Sequence, residues 1–261
     1  MGREVIHLPA SIESRQIARP TQMADHQAIE RVLVVTAHPD DAEFAVGGTV
    51  ASFTAAGIEV AYCVITDGDA GGIDRVATRT EVGALRRQEQ VAAAAVLGVR
   101  DVHFLGYRDG ELMATLELRR DISRVIRQVR PQRMLIHSPD RNWDRLCQLH
   151  PDHLAAGDAT MAAIYPDARN PFAHRHLLDD EGLEAWTVAE TWVFGAPGPN
   201  RWVDVTEYLD LQIAALREHH SQTDQMTDLV EAVRCSGAAE IVPAGLPDGH
   251  LAEAFLAVST A

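Results

Sequence analysis

VLVVTAHPDDAEFAVGGTVASFTAAG, residues 32–57, is the stretch that decides the fold. Val32–Thr36 is apolar and β-branched without alternation, as in a strand buried on both faces of a parallel sheet. It stops abruptly at His38-Pro39-Asp40-Asp41. Gly47–Ala56 then reads as a helix closed by Gly57. A strand, a polar turn and a helix in this order make the first half of a βαβ unit.

The unit recurs downstream. Glu59–Thr66 is a second strand. Thr78–Leu97 is a long helix, opened by the capping-box pair Thr78 and Glu81 and stopped by Gly98. Val102–Leu105 is a third strand. Thr115–Arg130 is a helix with Leu118, Ile122, Val125, Ile126 and Val129 on one face, ended by Pro131. Met134–His137 and His153–Tyr165 read as a fourth strand and helix, Thr191–Phe194 and Trp202–Val205 as further strands, and Thr206–His220 as another helix. Leu251–Val258 fits a helix or a strand. Strands alternating with helices at this spacing predict an α/β protein with a mostly parallel sheet. Residues 1–30 show no period and read as an N-terminal arm, and 31–261 as a single domain.

Composition narrows the function. The 261 residues carry 23 Lys+Arg against 38 Asp+Glu, a net charge of −15, which argues against a nucleic-acid partner. With 46% hydrophobic and 23% charged residues, disorder is excluded. Cys63, Cys147 and Cys235 are too scattered for a disulfide framework, which points to a reducing, cytoplasmic compartment. The N-terminus lacks a signal-peptide core, and the most apolar run, Val91–Val99, is too short for a membrane span.

Ligands of parallel sheets bind beyond the carboxyl ends of the strands, and there the polar clusters fall. Asp40 and Asp41 beside His38 would repel each other unless a cation sat between them. LHPDHLAAGDA, residues 149–159, adds His150 and His153 with Asp152 between them at a helix start. The two segments together supply three histidines and three carboxylates. Such a set suits a catalytic zinc with an open position, or iron or manganese, and the arrangement fits metal-assisted hydrolysis. A nucleotide-binding enzyme would need a glycine-rich loop where Pro39, Asp40 and Asp41 stand. A non-catalytic relative would have no use for so complete a set.

AHPDD with Glu43, the RRQE of 86–89 followed by LGV at 97–99, HPDH at 150–153, and the late VDVT (203–206) and HxSQ (219–222) features resemble the PIG-L/LmbE-like family of metal-dependent de-N-acetylases. The resemblance covers about residues 31–225. It implies a Rossmann-like three-layer sandwich and a small-molecule N-acyl amino-sugar substrate, with no membrane span and oligomeric state left open. It also implies His38, Asp41 and His153 as zinc ligands, with Fe2+ or Mn2+ as alternatives. Asp40 matches the general base, and His150 the group that supports the oxyanion or protonates the leaving amine. Arg86 and Asp109 match substrate contacts. Two departures stand out: Ala42 separates the aspartates from Glu43, and Gln148 occupies the place of a tyrosine found in relatives acting on mycothiol precursors. A thiol-conjugate amidase and a natural-product-pathway deacetylase of the same family are the alternative activities. The loops at 67–80, 106–114, 138–149 and 166–186, with Arg75, Arg79, Arg108, Arg141 and Arg145, border the rim and are expected to set selectivity.

Overall fold

The computed structural model describes residues 29–72, 76–143 and 146–261, without the side chains of Cys147 and Gln148. Most of the expected N-terminal arm, together with Arg75 and Arg145, lies outside the described residues. In chain order the elements are β1 (Arg31–Thr36), α1 (Asp41–Ala55), β2 (Glu59–Thr66), α2 (Arg79–Val96), β3 (Asp101–Tyr107), α3 (Leu116–Val129) and β4 (Arg133–His137). Then follow α4 (Pro151–Ala162), α5 (His176–Asp179), β5 (Glu190–Phe194), β6 (Arg201–Asp204), α6 (Leu209–Arg217), α7 (His220–Thr223), α8 (Leu229–Ala238), α9 (Ile241–Ala244) and β7 (Ala252–Ser259).

The strands form one seven-stranded sheet in the order β3-β2-β1-β4-β5-β7-β6. The first five pair in parallel, while β7 runs antiparallel to both β5 and β6. The chain winds outward from β1 through β2 to β3, then crosses back to β4 on the other side of β1. The order therefore reverses between β1 and β4, where open α/β sheets form their ligand crevice.

Strand alternation divides the core. Leu33, Val35, Cys63 and Ile65 face α3 and α4, meeting Leu118, Ile122, Ile126 and Ala159. Val32, Val34, Val60 and Tyr62 face α1 and α2, meeting Val46, Val50, Ala93 and Leu97. Both faces of the sheet are covered, which explains why these strands read as unbroken apolar runs. Cys63 is a buried packing residue, as expected, and burial pushes its thiol up to about 12.

Some boundaries move. The Thr78–Glu81 capping box forms as predicted. Helix α1, however, begins at Asp41, six residues before Gly47, so the double aspartate is the helix start rather than a free loop. Helix α4 opens at Pro151, suited to a first helical position, where no backbone N–H is required. It gives way to a π-turn segment at Ala163–Ala168 before the predicted end at Tyr165. The predicted helix 206–220 is a 3-10 turn at Thr206–Tyr208 followed by α6 and α7. Leu251–Val258 is resolved as strand. No helix among the described residues is long and apolar enough to cross a membrane.

Candidate active site

Three strand ends and a helix start meet at the crevice. The turn after β1 brings His38, Asp40 and Asp41; the end of β4 brings His137; the start of α4 brings His150, Asp152 and His153; the turn after β3 brings Asp109. Helix α4 can lie close against the end of β4 because residue 157 is glycine: a Cβ there would stand 2.6 Å from the His137 carbonyl oxygen. That approach stacks the His153 ring on His137, with centroids 4.3 Å apart.

Asp41 is the centre of the cluster. Its Oδ2 accepts the backbone N–H groups of Ala37 at 3.1 Å and His38 at 2.8 Å, and lies 3.0 Å from His137 Nε2. Its Oδ1 lies 3.1 Å from His153 Nε2. His38 Nδ1 is 3.3 Å from His153 Nε2 and 3.5 Å from Asp41 Oδ2. Burial alone would lift the Asp41 carboxyl, but His153 and His137 outweigh it and hold it well below the usual range.

The far side of the His38 ring is also occupied. Its Nε2 lies 3.1 Å from Asp109 Oδ1 and 3.3 Å from Asp152 Oδ2. Both carboxylates are anchored: Asp152 accepts N–H groups from Gly110 at 2.7 Å and Leu112 at 3.2 Å, and Asp109 accepts one from Ala70 at 3.1 Å. Burial lowers the His38 imidazole, but Asp109, Asp152 and Asp41 reverse this and push it up to about 12. One imidazole faced by three carboxylates marks a place that calls for positive charge.

Asp40 points the other way. Its backbone is left-handed, with φ 95°, a conformation that costs a non-glycine residue about 1–3 kcal/mol. The surroundings impose it. Gln90 Oε1 accepts the Asp40 N–H at 2.9 Å, and Arg86 donates to the Pro39 carbonyl at 2.6 Å, to Asp40 Oδ2 at 3.0 Å and to the Gly68 carbonyl at 2.9 Å. Behind them Gln90 Nε2 donates to Glu43 Oε1 at 2.9 Å, and Glu43 Oε2 lies 3.2 Å from His219 Nε2, all buried. Burial lifts the Asp40 carboxyl to about 6 against the pull of Arg86.

His150 caps α4: its Nδ1 accepts the Asp152 N–H at 3.2 Å. Its exposed ring meets His38 edge-on, with centroids 4.9 Å apart. Asp152 and Asp109 pull its pKa upward, but by less than the opposing causes. Burial, then His38 and His153, lower it.

The residues fit a bound divalent ion. Around a tetrahedral centre with bonds of about 2.0–2.1 Å, donor atoms stand about 3.3 Å apart, and the contacts of His38 and His153 with each other and with one or other Asp41 oxygen span 3.1–3.5 Å. A metal-ligating histidine also directs its other ring nitrogen to a carboxylate, as His38 does toward Asp109 and Asp152. Clusters close enough to share an ion are His38–His150–His153, Asp41–His137–His153 and His38–Asp109–Asp152.

The structure thus brings His38, Asp40, Asp41, His150 and His153 into one crevice. Arg86 and Asp109 are beside it, but both are buried and turned inward onto Asp40 and His38. His137 has no site role in the sequence reading. Its signal was a polar residue ending the apolar strand MLIH. Asp152, between the two histidines in sequence, serves His38.

Residues 33–164 match the PIG-L family, described as GlcNAc-PI de-N-acetylase. The chain is 32% identical over 194 residues to a diacetylchitobiose deacetylase of Thermococcus kodakarensis, covering 74% of this chain and 70% of that protein. It is 29% identical over 242 residues to a 1D-myo-inositol 2-acetamido-2-deoxy-alpha-D-glucopyranoside deacetylase of Saccharopolyspora erythraea, covering 74% and 77%. Among solved structures, the N,N'-diacetylchitobiose deacetylase from Pyrococcus horikoshii in complex with its inhibitor MPG superposes with a TM-score of 0.81 at 28% identity, covering 89% of this chain and 85% of that one. The motifs, the sheet and the crevice at its switch point agree with these similarities, and the chain belongs to the PIG-L family of de-N-acetylases.

Proposed function

We propose that this protein hydrolyses the amide of an N-acylated amino sugar, with a divalent transition metal, zinc in the first instance, held by His38, Asp41 and His153. The observation that carries the reading is the division of labour between adjacent aspartates. Asp41 faces two histidines across 3.0–3.1 Å, while Asp40 is turned away and held by Arg86.

When bound, the ion polarises the amide carbonyl and makes water acidic enough to be deprotonated near pH 7. The protein's part is proton handling and positioning. Asp40 takes the proton from the attacking water; burial places its carboxyl at about 6, close to the optimum for a base working near neutrality. Arg86 and Gln90 fix the Asp40 carboxylate and its strained backbone. His150, on the open side of His38, donates to the departing amine nitrogen. Asp109 and Asp152 hold His38 in place, and His137 lends a further donor to Asp41. Asp109 and Arg86 act on substrate through His38 and Asp40.

The test is release of acetate and free amine from N-acetylglucosamine compounds by the zinc-loaded protein. Hydrolysis that disappears with a chelator and returns with metal supports the reading. Undiminished hydrolysis by protein stripped of metal overturns it.

A further inference from the structure

A cleft of about 340 Å³ opens beside the site, and His150 does not line it. Asp41, His137 and His153 form its inner end. Its walls are apolar: Phe44 and Ala45 from α1, Phe194 from the end of β5, and Ala232 and Val233 from α8. Asp40, Arg86, Asp109 and His150 do not border it. It shares Phe44, Ala45, Phe194 and Val233 with a smaller cavity of about 70 Å³ that continues beneath α8 toward Leu209 and Leu251.

We propose that this cleft receives the acyl chain of the substrate and that the preferred acyl group is longer than acetyl, a linear chain of about six to eight carbons. The inference rests on the amide-hydrolase reading above. An amide carbonyl held at His38, Asp41 and His153 has two substituents to place. The nitrogen must face a proton donor, and His150 lies outside the lining of the cleft. The acyl carbon chain is left to extend past His137 and His153. The chemistry of the two flanks agrees. The nitrogen side is polar, with Arg79 donating to Asp69 at 2.6 Å and 2.9 Å and Arg108 beside Glu111, and suits sugar hydroxyls. The cleft side is mainly hydrocarbon, with Ser138 and Ser236 as its polar groups beyond the inner end. A methyl group needs about as much room as one water, a small fraction of what is there. An acetyl group would leave most of the apolar wall facing water.

The test is a series of N-acylglucosamines, from acetyl through butyryl and hexanoyl to octanoyl, with the zinc-loaded protein. Each buried methylene is worth about a fourfold gain, so kcat/KM is expected to climb and to exceed the acetyl value at least tenfold by hexanoyl. A kcat/KM that falls from acetyl onward overturns the proposal. So does a gain obtained instead from an octyl glycoside of N-acetylglucosamine, because the cleft would then serve the amine side. Val233→Trp should cut the hexanoyl-to-acetyl ratio of kcat/KM at least tenfold. Ala232→Phe, on the exposed side of α8, repeats the test should the first variant fail to fold, and an unchanged ratio in a folded variant counts against the cleft. Calorimetric binding of the product series, acetate to octanoate, needs no turnover and should tighten about fourfold per methylene. If no amide in the series is cleaved, the hydrolase reading fails, and the carboxylate series alone decides what the cleft holds.

Discussion

Asp40 and Asp41 are neighbours in the chain, yet the regions they serve are built on different plans. The Asp41 flank is made of strand ends and the start of α4: two imidazoles and two backbone N–H donors, each within 3.1 Å of the Asp41 carboxylate. The Asp40 flank is made of side chains from α2, Arg86 and Gln90, that grip a left-handed backbone. One flank concentrates donors suited to a cation. The other holds a single, largely buried carboxylate whose pKa is lifted to about 6. The helix starts at Asp41, and the left-handed backbone at Asp40 just before it gives the two carboxylates different partners.

The largest expected effect separates the flanks directly. His153→Ala and Asp41→Ala should empty the metal site, seen by elemental analysis, and lose hydrolysis with it. Asp40→Asn should keep the metal and lose about a hundred- to ten-thousandfold in kcat, the usual contribution of a general base. His150→Ala should also keep its metal and lower kcat more than it raises KM. An Asp40→Asn protein without metal would make Asp40 a ligand and erase the distinction.

Next in size is a pH effect confined to the metal flank. In the metal-free protein, burial opposes charge on His38, but Asp109, Asp152 and Asp41 hold its pKa at about 12 against an ordinary 6.5. Metal must displace that proton. Zinc affinity should therefore rise about tenfold per pH unit between pH 6 and 8, with about one proton released per ion. Calorimetry in buffers of different ionisation enthalpy measures both. Without metal, the raised imidazolium stabilises the fold in full below 6.5, and this contribution is lost as pH rises toward about 12. A flat affinity profile with no proton release would remove His38 from the ligand set.

Supporting residues sharpen the comparison further. Asp152→Asn disturbs the carboxylate facing His38 Nε2 and should weaken metal binding about ten- to a hundredfold. Gln90→Ala releases the Asp40 backbone and should lower kcat by up to about a hundredfold with metal affinity unchanged. Equal losses of metal in both variants would mean that the flanks are mechanically one.

What the sequence disclosed follows the same boundary. Strands buried on both faces, such as Glu59–Thr66, are legible because burial forces continuous apolar runs, and the helix starts at Thr78 and Thr115 because capping is local. The His38–Asp41 and His150–His153 segments are legible as short motifs. Long-range contacts are not. Asp152 reaches Gly110, Leu112 and His38 across some forty to more than a hundred residues, and nothing local distinguishes it from a helix cap. His137 looks like the last residue of a strand until β4 is known to lie beside β1. Helix α8, which walls the cleft, buries only Leu229 and Val233, too thin a stripe to register as a period. The ambiguous Leu251–Val258 becomes a strand only through its pairing with β5 and β6.

The smallest expected effect asks whether the metal flank depends on how closely α4 sits against β4. A methyl group on residue 157 would stand 2.6 Å from the His137 carbonyl oxygen, 2.7 Å from the Pro139 nitrogen and 2.8 Å from the Ser138 carbonyl carbon. All three are backbone atoms at the end of a central strand, so they cannot swing aside as a side chain would. Gly157→Ala should cost about 1–3 kcal/mol by overpacking, a fall of roughly 2–12 °C in Tm for a chain of this size. It should also weaken zinc binding, because the stacked His137 and His153 must separate. Gly83→Ala on α2 is the matching change behind Asp67 and Asp69. Its Cβ would meet the Asp67 and Asp69 Cβ atoms at 3.1 Å and 3.4 Å, contacts that small shifts can relieve. Replacing a mid-helix glycine by alanine returns up to about 1 kcal/mol, so the net change in Tm should be near zero and zinc affinity unaltered. Thermal unfolding and zinc titration of the two variants side by side give the answer. If Gly83→Ala loses as much metal as Gly157→Ala, the close approach of α4 to β4 does not set the spacing of the donors.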